Sequence, residues 1–208
     1  MVQTIQAKNL TLYEVERKFG LILVQDEQFF REWLDDLPEL TDGEQQRLDR
    51  VKAQYLYLAK RPLLEVIVKM VVLSPLLDLA GFYDPPFYIT AEEEVRISEE
   101  VEGEIIKGLI DVLVLYGNFW ITFIESKRPQ LDVMQGLPQA LTYMMDNPHP
   151  EKAAFGLITN GREVIFIKLT KQDTPRYALS KAFSILNPGN DLYDVLRGLK
   201  RIGEIISF

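Results

Sequence analysis

The stretch Ile105–Lys127, IIKGLIDVLVLYGNFWITFIESK, decides the fold because it contains two strand-like runs separated by a tight turn. The runs Ile105–Tyr116 and Phe119–Glu125 are rich in Val, Ile, Phe and Tyr, and Gly117-Asn118 between them is typical of a hairpin turn. These features predict an antiparallel hairpin. A similar run, Phe87–Ile97, comes earlier in the chain and predicts a third strand of the same sheet.

Helical and strand patterns alternate on both sides of this hairpin. The C-terminal side predicts a helix over Met134–Met145, strands over Ala153–Thr159 and Glu163–Leu169 joined by an Asn160-Gly161 turn, and a final helix over Asp191–Ile206. The N-terminal side predicts helices over Asp26–Asp36 and Asp42–Lys60, and a third helix that begins at Pro62 and ends at Gly81. This third segment is apolar almost all round, which is typical of a helix buried in a core.

These elements predict an α+β fold in which a mixed sheet is flanked by helices. The sheet and its helices occupy residues 61–208, and residues 1–60 form an N-terminal helical extension. The chain of 208 residues is long enough for a sizeable hydrophobic core.

Composition excludes several classes of protein. The chain has no cysteine and a single histidine, His149, so disulfides, thiolate nucleophiles, Cys-based zinc sites and multi-His metal sites are excluded. No continuous apolar run reaches the length of a membrane span, and the N-terminus lacks the pattern of a signal peptide. We therefore expect a cytoplasmic protein that is not bound to a membrane.

The net charge of −8 is unevenly distributed along the chain. Residues 1–107 contain 12 Lys and Arg against 21 Asp and Glu, whereas residues 108–208 contain 11 against 10. The acidity is greatest in Ala91–Glu104, AEEEVRISEEVEGE, which is either a solvated strand edge or a metal or partner site. A nucleic acid would therefore have to bind a local patch rather than the whole surface.

Charged side chains cluster at one end of the predicted hairpin. If the turn is centred on Gly117-Asn118, paired residues have numbers that sum to 235 or 236, and Asp111 lies opposite Glu125 on one face of the sheet. Two facing carboxylates repel each other unless Lys127 or a divalent cation lies between them. Such a pair suits Mg²⁺ or Mn²⁺, which also accept phosphate oxygens as ligands, and the pattern therefore indicates phosphodiester chemistry.

The spacing of Asp111 and Glu125-Ser126-Lys127, after a helix that bears Glu65, resembles the PD-(D/E)xK nuclease superfamily. The segment Gln139–Tyr143 has the QxxxY form of RecB-type members. Over Arg61–Leu169 the chain is also similar to the N-terminal nuclease domain of type I restriction enzyme R subunits, and to short stand-alone proteins labelled as restriction subunit R-like. Further matches are IESKRP, GLPQALTY and LITNG before EVIFIKL.

This resemblance implies a restriction-endonuclease-like core that hydrolyses DNA with Mg²⁺ or Mn²⁺. Asp111 and Glu125 would be metal ligands, Lys127 would lie near the attacking water, and Glu65 would join the metal directly or through water. Gln139 and Tyr143 would orient DNA or the active-site groups.

The chain departs from the family pattern in two ways. Ile110 stands where the family has a Pro before its first Asp, and the chain has no GxxxxGK[ST] phosphate loop, so ATP-driven translocation is not expected. A homodimer is a further expectation, since cleavage of both strands generally uses two sites.

Alternative interpretations of the same residues remain open. Glu65 could simply form an ion pair with Lys69, four residues further along the helix. Asp111, Glu125 and Lys127 could be a solvated strand end, and Gln139 with Tyr143 a polar pair at the edge of a packed helix. The competing functions are a non-catalytic nucleic-acid-binding or assembly module that keeps the nuclease fold, and an interaction domain unrelated to DNA.

Overall fold

A computed structural model of the protein describes residues 3–99, 104–116, 119–125 and 132–207. In these ranges nine strands form one mixed sheet that is flanked by helices, so the predicted α+β class is confirmed. The strands are β1 (Gln3–Gln6), β2 (Ile22–Leu23), β3 (Phe87–Glu99), β4 (Glu104–Tyr116), β5 (Phe119–Glu125), β6 (Ala154–Thr159), β7 (Glu163–Thr170), β8 (Arg176–Leu179) and β9 (Phe183–Ser184).

The helices are α1 (Leu12–Phe19), α2 (Asp42–Leu58), α3 (Glu65–Val68), α4 (Ser74–Leu79), α5 (Leu137–Met145) and α6 (Leu192–Ser207). A π-helical segment, Lys69–Leu73, joins α3 to α4 without a break, and short 3₁₀ turns occupy Ala7–Asn9 and Val133–Gly136. None of the helices in the described ranges combines the length and the apolarity needed to cross a bilayer.

The antiparallel pairings predicted for β4 with β5 and for β6 with β7 are confirmed. Strand β4 pairs antiparallel with β5 from Tyr116↔Phe119 to Val112↔Phe123, and the numbers in these pairs sum to 235. Strand β5 then pairs parallel with β6, and β6 pairs antiparallel with β7 across the predicted Asn160-Gly161 turn, where Gly161 has a φ of 80°. The predicted Gly117-Asn118 turn lies outside the described residues.

The N-terminal strand β1 and strand β5 pair with different parts of the same edge of β4. It pairs parallel with Glu104–Lys107, on the edge of β4 opposite β3, and β5 takes over the same edge from Val112 onward. Residues 108–111 of β4 therefore lie between the end of one neighbouring strand and the start of the next.

Helices cover the two faces of the sheet and create two hydrophobic clusters. Along β7, Phe166 packs in the cluster that includes α2, α4 and α6, whereas its neighbours Ile165 and Ile167 pack in the cluster that includes α1 and α5. Successive side chains of a strand point to opposite faces, so β7 is buried on both sides.

The prediction of a helix over Asp26–Asp36 is wrong. The structure has turns at residues 27–29 and 32–34 instead. The aromatic side chains pack onto the sheet from this loop: the ring centroid of Phe30 lies 6.3 Å from that of Phe155, and the ring centroid of Trp33 lies 5.8 Å from that of Phe183. The apolar residues that had indicated a helix are present because their aromatic side chains are buried against the sheet, and the segment itself is not helical.

The third helix also differs from its prediction. It begins at Glu65 rather than at Pro62, and it is not buried all round, because Val66 and Met70 are 54% and 64% exposed. Its inner side, including Val68 and Val72, packs in the cluster of α2, α4 and α6. The division at residue 60 stays a prediction; residues 3–60 contain α1 and α2, together with two strands of the sheet.

Candidate functional site

A pocket of about 350 Å³ opens where β4 passes from β1 to β5. Glu65, Asp111, Gln139 and Tyr143, which come from α3, β4 and α5, all line it. These are four of the six residues that the resemblance implies as site residues. The described residues that line it are Gln6, Lys8, Glu65, Lys69, Glu92, Gly108, Leu109, Asp111, Gln139 and Tyr143.

Asp111 lies at an irregularity in the ladder between β3 and β4. The backbone pairing of β3 with β4 is interrupted between Asp111 and Glu92, and the φ of Glu92 is 56°. The pairs on the two sides of this step are Val112 with Ala91 and Ile110 with Glu93. The residue numbers sum to 203 in both pairs, so the register is the same on the two sides of Asp111 and neither strand contains an extra residue.

At this irregularity the side chains of β4 change the face of the sheet to which they point. Ile110 and Leu113 both pack in the cluster of α1 and α5, although strict alternation would place them on opposite faces. Val112 packs against the other cluster. The exchange brings the Asp111 carboxylate within reach of α3 and of the π-helical segment.

Lys69 connects the two carboxylates of the pocket. Its Nζ lies 2.9 Å from Oε1 of Glu65 and 3.6 Å from Oδ1 of Asp111. The three side chains are between 19% and 29% exposed, so water screens these contacts only in part. The ion pair between Glu65 and Lys69 that the helix spacing predicts is therefore present, and it extends to Asp111.

The QxxxY residues form a hydrogen-bonded chain to the backbone of β4. Nε2 of Gln139 donates to the hydroxyl of Tyr143 at 2.9 Å, and this hydroxyl donates to the carbonyl oxygen of Leu109 at 3.0 Å. Leu109 belongs to the part of β4 between β1 and β5, so α5 supports the backbone there. Asp111 follows two residues later.

Tyr143 is only 1% exposed. Burial raises the pKa of its hydroxyl to about 12, and the negative charge of Asp111 acts in the same direction. The hydrogen bonds with Gln139 and Leu109 oppose this shift. The hydroxyl is therefore protonated at neutral pH, and it acts in the pocket as a hydrogen-bond donor rather than as a base.

Gly108 permits this contact between α5 and β4. A Cβ atom at this position would lie 2.7 Å from Cζ of Tyr143 and still closer to its hydroxyl. Any larger residue would therefore force the tyrosine ring away from the strand. The close approach explains why glycine occurs in a strand interior, where it is otherwise unfavourable.

The remaining predicted site residues can be located only in part. Glu125 is the last residue of β5, and its backbone pairs with Thr159 of β6. Its side chain and all of Lys127 lie outside the described residues. The pairs between described residues of β4 and β5 end at Val112↔Phe123 and do not include Asp111 or Glu125. The predicted pairing of the Asp111 and Glu125 carboxylates stays a prediction.

Two polar lining residues, Gln6 and Lys8, were not predicted from the sequence. They belong to the end of β1 and to the 3₁₀ turn that follows it. The four-residue strand QTIQ has no strong local signal, and its partner lies a hundred residues further along the chain. Glu92 was noted only as a member of the acidic segment Ala91–Glu104.

The charges of the pocket determine which ligands it can hold. Among the described residues, three carboxylates and two ammonium groups line it, and their formal charges sum to −1. Carboxylate oxygens are the ligands that Mg²⁺ and Mn²⁺ prefer, and Glu65 and Asp111 fit such an ion as two of its ligands. Within the part of the chain that the structure describes, no group of three His, Cys, Asp or Glu residues forms a metal site.

Compared with protein-family models and with curated protein sequences, the chain matches none.

Proposed function

We propose that the protein is a Mg²⁺- or Mn²⁺-dependent DNA phosphodiester hydrolase of the restriction-endonuclease-like, PD-(D/E)xK type. The observation that carries this proposal is the convergence of Glu65, Asp111, Gln139 and Tyr143 on one pocket. If the sequence resemblance had arisen by chance, we would not expect these residues from three separate elements to line one pocket. The cytoplasmic location and the homodimer stay predictions from the sequence.

Charge supports the need for a metal. The described lining has a formal charge of −1, which repels a phosphodiester. One bound divalent cation would add two positive charges to the pocket and so reduce its repulsion of phosphate. DNA binding at this site is therefore expected to depend on a divalent cation, and Ca²⁺, which also binds to carboxylate oxygens, can be used to test it.

Each residue has a definite task in this proposal. Glu65 and Asp111 would hold the cation together with Glu125. When bound, the cation polarises the scissile phosphate and lowers the pKa of a bound water. Tyr143 and Gln139 hold the β4 backbone at Leu109 and thereby position Asp111.

The remaining positive charges would act on the substrate. Lys127 would stabilise negative charge near the attacking water. Lys8 lines the pocket from the N-terminal segment and would attract the DNA backbone.

One observation favours the second candidate, a non-catalytic nucleic-acid-binding or assembly module. The ammonium group of Lys69 neutralises charge on both Glu65 and Asp111, so these ion pairs explain without a metal ion why the two carboxylates lie close together. In that case the pocket would be a remnant of a nuclease site, and the fold would serve binding alone.

Metal binding and DNA cleavage measured on the same samples distinguish the two candidates. Calorimetric titration with MnCl₂ and nicking of supercoiled plasmid and of single-stranded DNA would be compared for the wild type, Asp111→Asn and Glu125→Gln. The matched control is Glu39→Gln, because the Glu39 carboxylate is 95% exposed and does not line the pocket.

The nuclease proposal expects binding and nicking in the wild type and in the control, and loss of both in Asp111→Asn and Glu125→Gln. DNA binding without cleavage by the wild type, under every divalent cation tried, would favour the non-catalytic module. A folded wild-type protein that binds neither Mn²⁺ nor DNA would contradict both candidates.

A further inference from the structure

The position of Lys69 suggests a role that neither the resemblance nor the family motif assigns. Its ammonium group contacts both carboxylates that the proposed function gives to the metal, at 2.9 Å from Glu65 and 3.6 Å from Asp111. A divalent cation held by Glu65 and Asp111 would compete with Lys69 for the same two carboxylates. The first residue of the π-helical segment is Lys69 itself, and segments of this kind are frequent at functional sites.

We propose that Lys69 is an internal counter-ion that competes with the divalent cation for Glu65 and Asp111. In the metal-free protein its ammonium group neutralises part of the carboxylate charge, and metal binding requires this group to leave. The inference rests on the proposed function, because it concerns the metal site of that activity.

Electrostatics makes simultaneous occupancy unfavourable. A monovalent and a divalent cation a few ångströms apart repel each other strongly in a pocket that is partly shielded from water. Each also needs the carboxylate oxygens that the other would use. The ammonium group and the metal ion are therefore alternatives at this site rather than neighbours.

The side chain of Lys69 can make this exchange. It carries its charge on a flexible stem of four carbons, and it is 29% exposed, so the ammonium group can move into water without unfolding of the helix. Arginine could replace it in part, since it also neutralises carboxylates, whereas methionine has a similar length and no charge. This difference provides a matched pair of variants.

Calorimetric titration with MnCl₂ in the absence of DNA tests the inference directly. We expect Lys69→Met to bind Mn²⁺ about tenfold more tightly than the wild type, because the competing cation is removed. Lys69→Arg should stay within about threefold of the wild type. Lys60→Met is the control, since Lys60 is exposed and does not line the pocket.

Thermal unfolding provides a second readout without catalysis. Metal-free Lys69→Met should melt at a lower temperature than the wild type, because Glu65 and Asp111 lose their shared partner. Saturating Mn²⁺ should then raise its melting temperature by more than it raises that of the wild type. Lys69→Gln is the substitute if methionine disturbs the fold, and the same results are expected of it.

The outcomes separate this inference from the proposed function. Equal or weaker Mn²⁺ affinity in Lys69→Met, with binding still abolished by Asp111→Asn, would overturn the counter-ion role and leave the metal site intact. Absence of Mn²⁺ binding in the wild type and in all folded variants would overturn the proposed function and this inference together.

Discussion

At the scale of single residues, Gly108 determines whether α5 can reach β4. We predict that Gly108→Ala displaces Tyr143 and breaks its hydrogen bond to Leu109, because the new Cβ would overlap the phenol ring. Overpacking in a closed core costs about 1 to 3 kcal/mol. Urea denaturation should show a loss of this size in the free energy of unfolding, and the Asp111-dependent metal affinity should fall with it.

The control for this substitution is Gly43→Ala in the first turn of α2. A Cβ at Gly43 would meet no atom within 4 Å, and alanine is a better helix former than glycine. The control should therefore be neutral or stabilising by up to about 1 kcal/mol. Equal losses in the two variants would contradict the steric explanation at Gly108.

The hydroxyl of Tyr143 predicts a dependence of stability on alkaline pH. Its pKa is about 12 in the folded protein and 10.0 in the reference state. A raised pKa contributes stability that is fully present below pH 10, and this contribution is lost as the pH rises toward 12. A pKa difference of two units corresponds to about 2 to 3 kcal/mol in the free energy of unfolding.

Tyr143→Phe measures this contribution. At pH 8 the variant should be about 1 to 2 kcal/mol less stable than the wild type, since it loses the hydrogen bonds with Leu109 and Gln139. Between pH 10 and pH 12 the difference should shrink in urea titrations. A difference that stays constant across this range would show that Tyr143 does not titrate there.

At the scale of secondary-structure elements, α2 begins with a reciprocal cap. The hydroxyl of Thr41 accepts from the backbone N–H of Glu44, and the Glu44 carboxylate accepts from the backbone N–H of Thr41. We predict that Thr41→Ala lowers the free energy of unfolding by about 1 kcal/mol. Thr41→Ser keeps the hydroxyl, so chemical denaturation should leave it near the wild type.

The elements that could be predicted from sequence are those whose pattern is local and long. Strands β3, β4, β5, β6 and β7 and helices α2, α5 and α6 each contain enough residues for their hydrophobic period to be visible. Strands β1 and β2 have four and two residues, and their partners are distant in the chain. Such short parallel strands depend on tertiary pairing, which no local pattern reports.

The candidate site follows the same division. The contact between Gln139 and Tyr143 could be predicted because residues four apart share one face of a helix. The ion pair of Glu65 with Lys69 has the same spacing. By contrast, the approach of Lys69 to Asp111 depends on how α3 packs over the sheet, and it could not be read from their spacing.

At the scale of the whole molecule, ion pairs join residues 36–44 to the C-terminal helix α6. Arg197 pairs with Glu39, Arg201 with Asp36 and Lys200 with Glu44. The last pair is the least exposed of the three. Partial burial raises the pKa of Glu44, but hydrogen bonds from Lys200 and Thr41 outweigh this effect and hold the pKa below its usual value of 4.5.

A lowered pKa contributes stability that is present above pH 4.5 and is lost as the pH falls through the folded value. We predict that Lys200→Met costs about 1 kcal/mol at pH 7, and that the difference from the wild type is smaller at pH 3. Urea denaturation at the two pH values measures this. Lys181→Met, at a more exposed pair, should cost less than about 0.5 kcal/mol.

The pairing of the N-terminal strands has a consequence for how the chain folds. Gln3 pairs with Glu104, which is 101 positions later, and Ile22 pairs with Arg176, which is 154 positions later. Closing such long loops carries a larger entropy cost than forming the hairpins of β3–β4 and β6–β7. The hairpins are therefore favoured to form early and β1 to dock late, so Gln6 and Lys8 complete the wall of the pocket only after the central sheet exists.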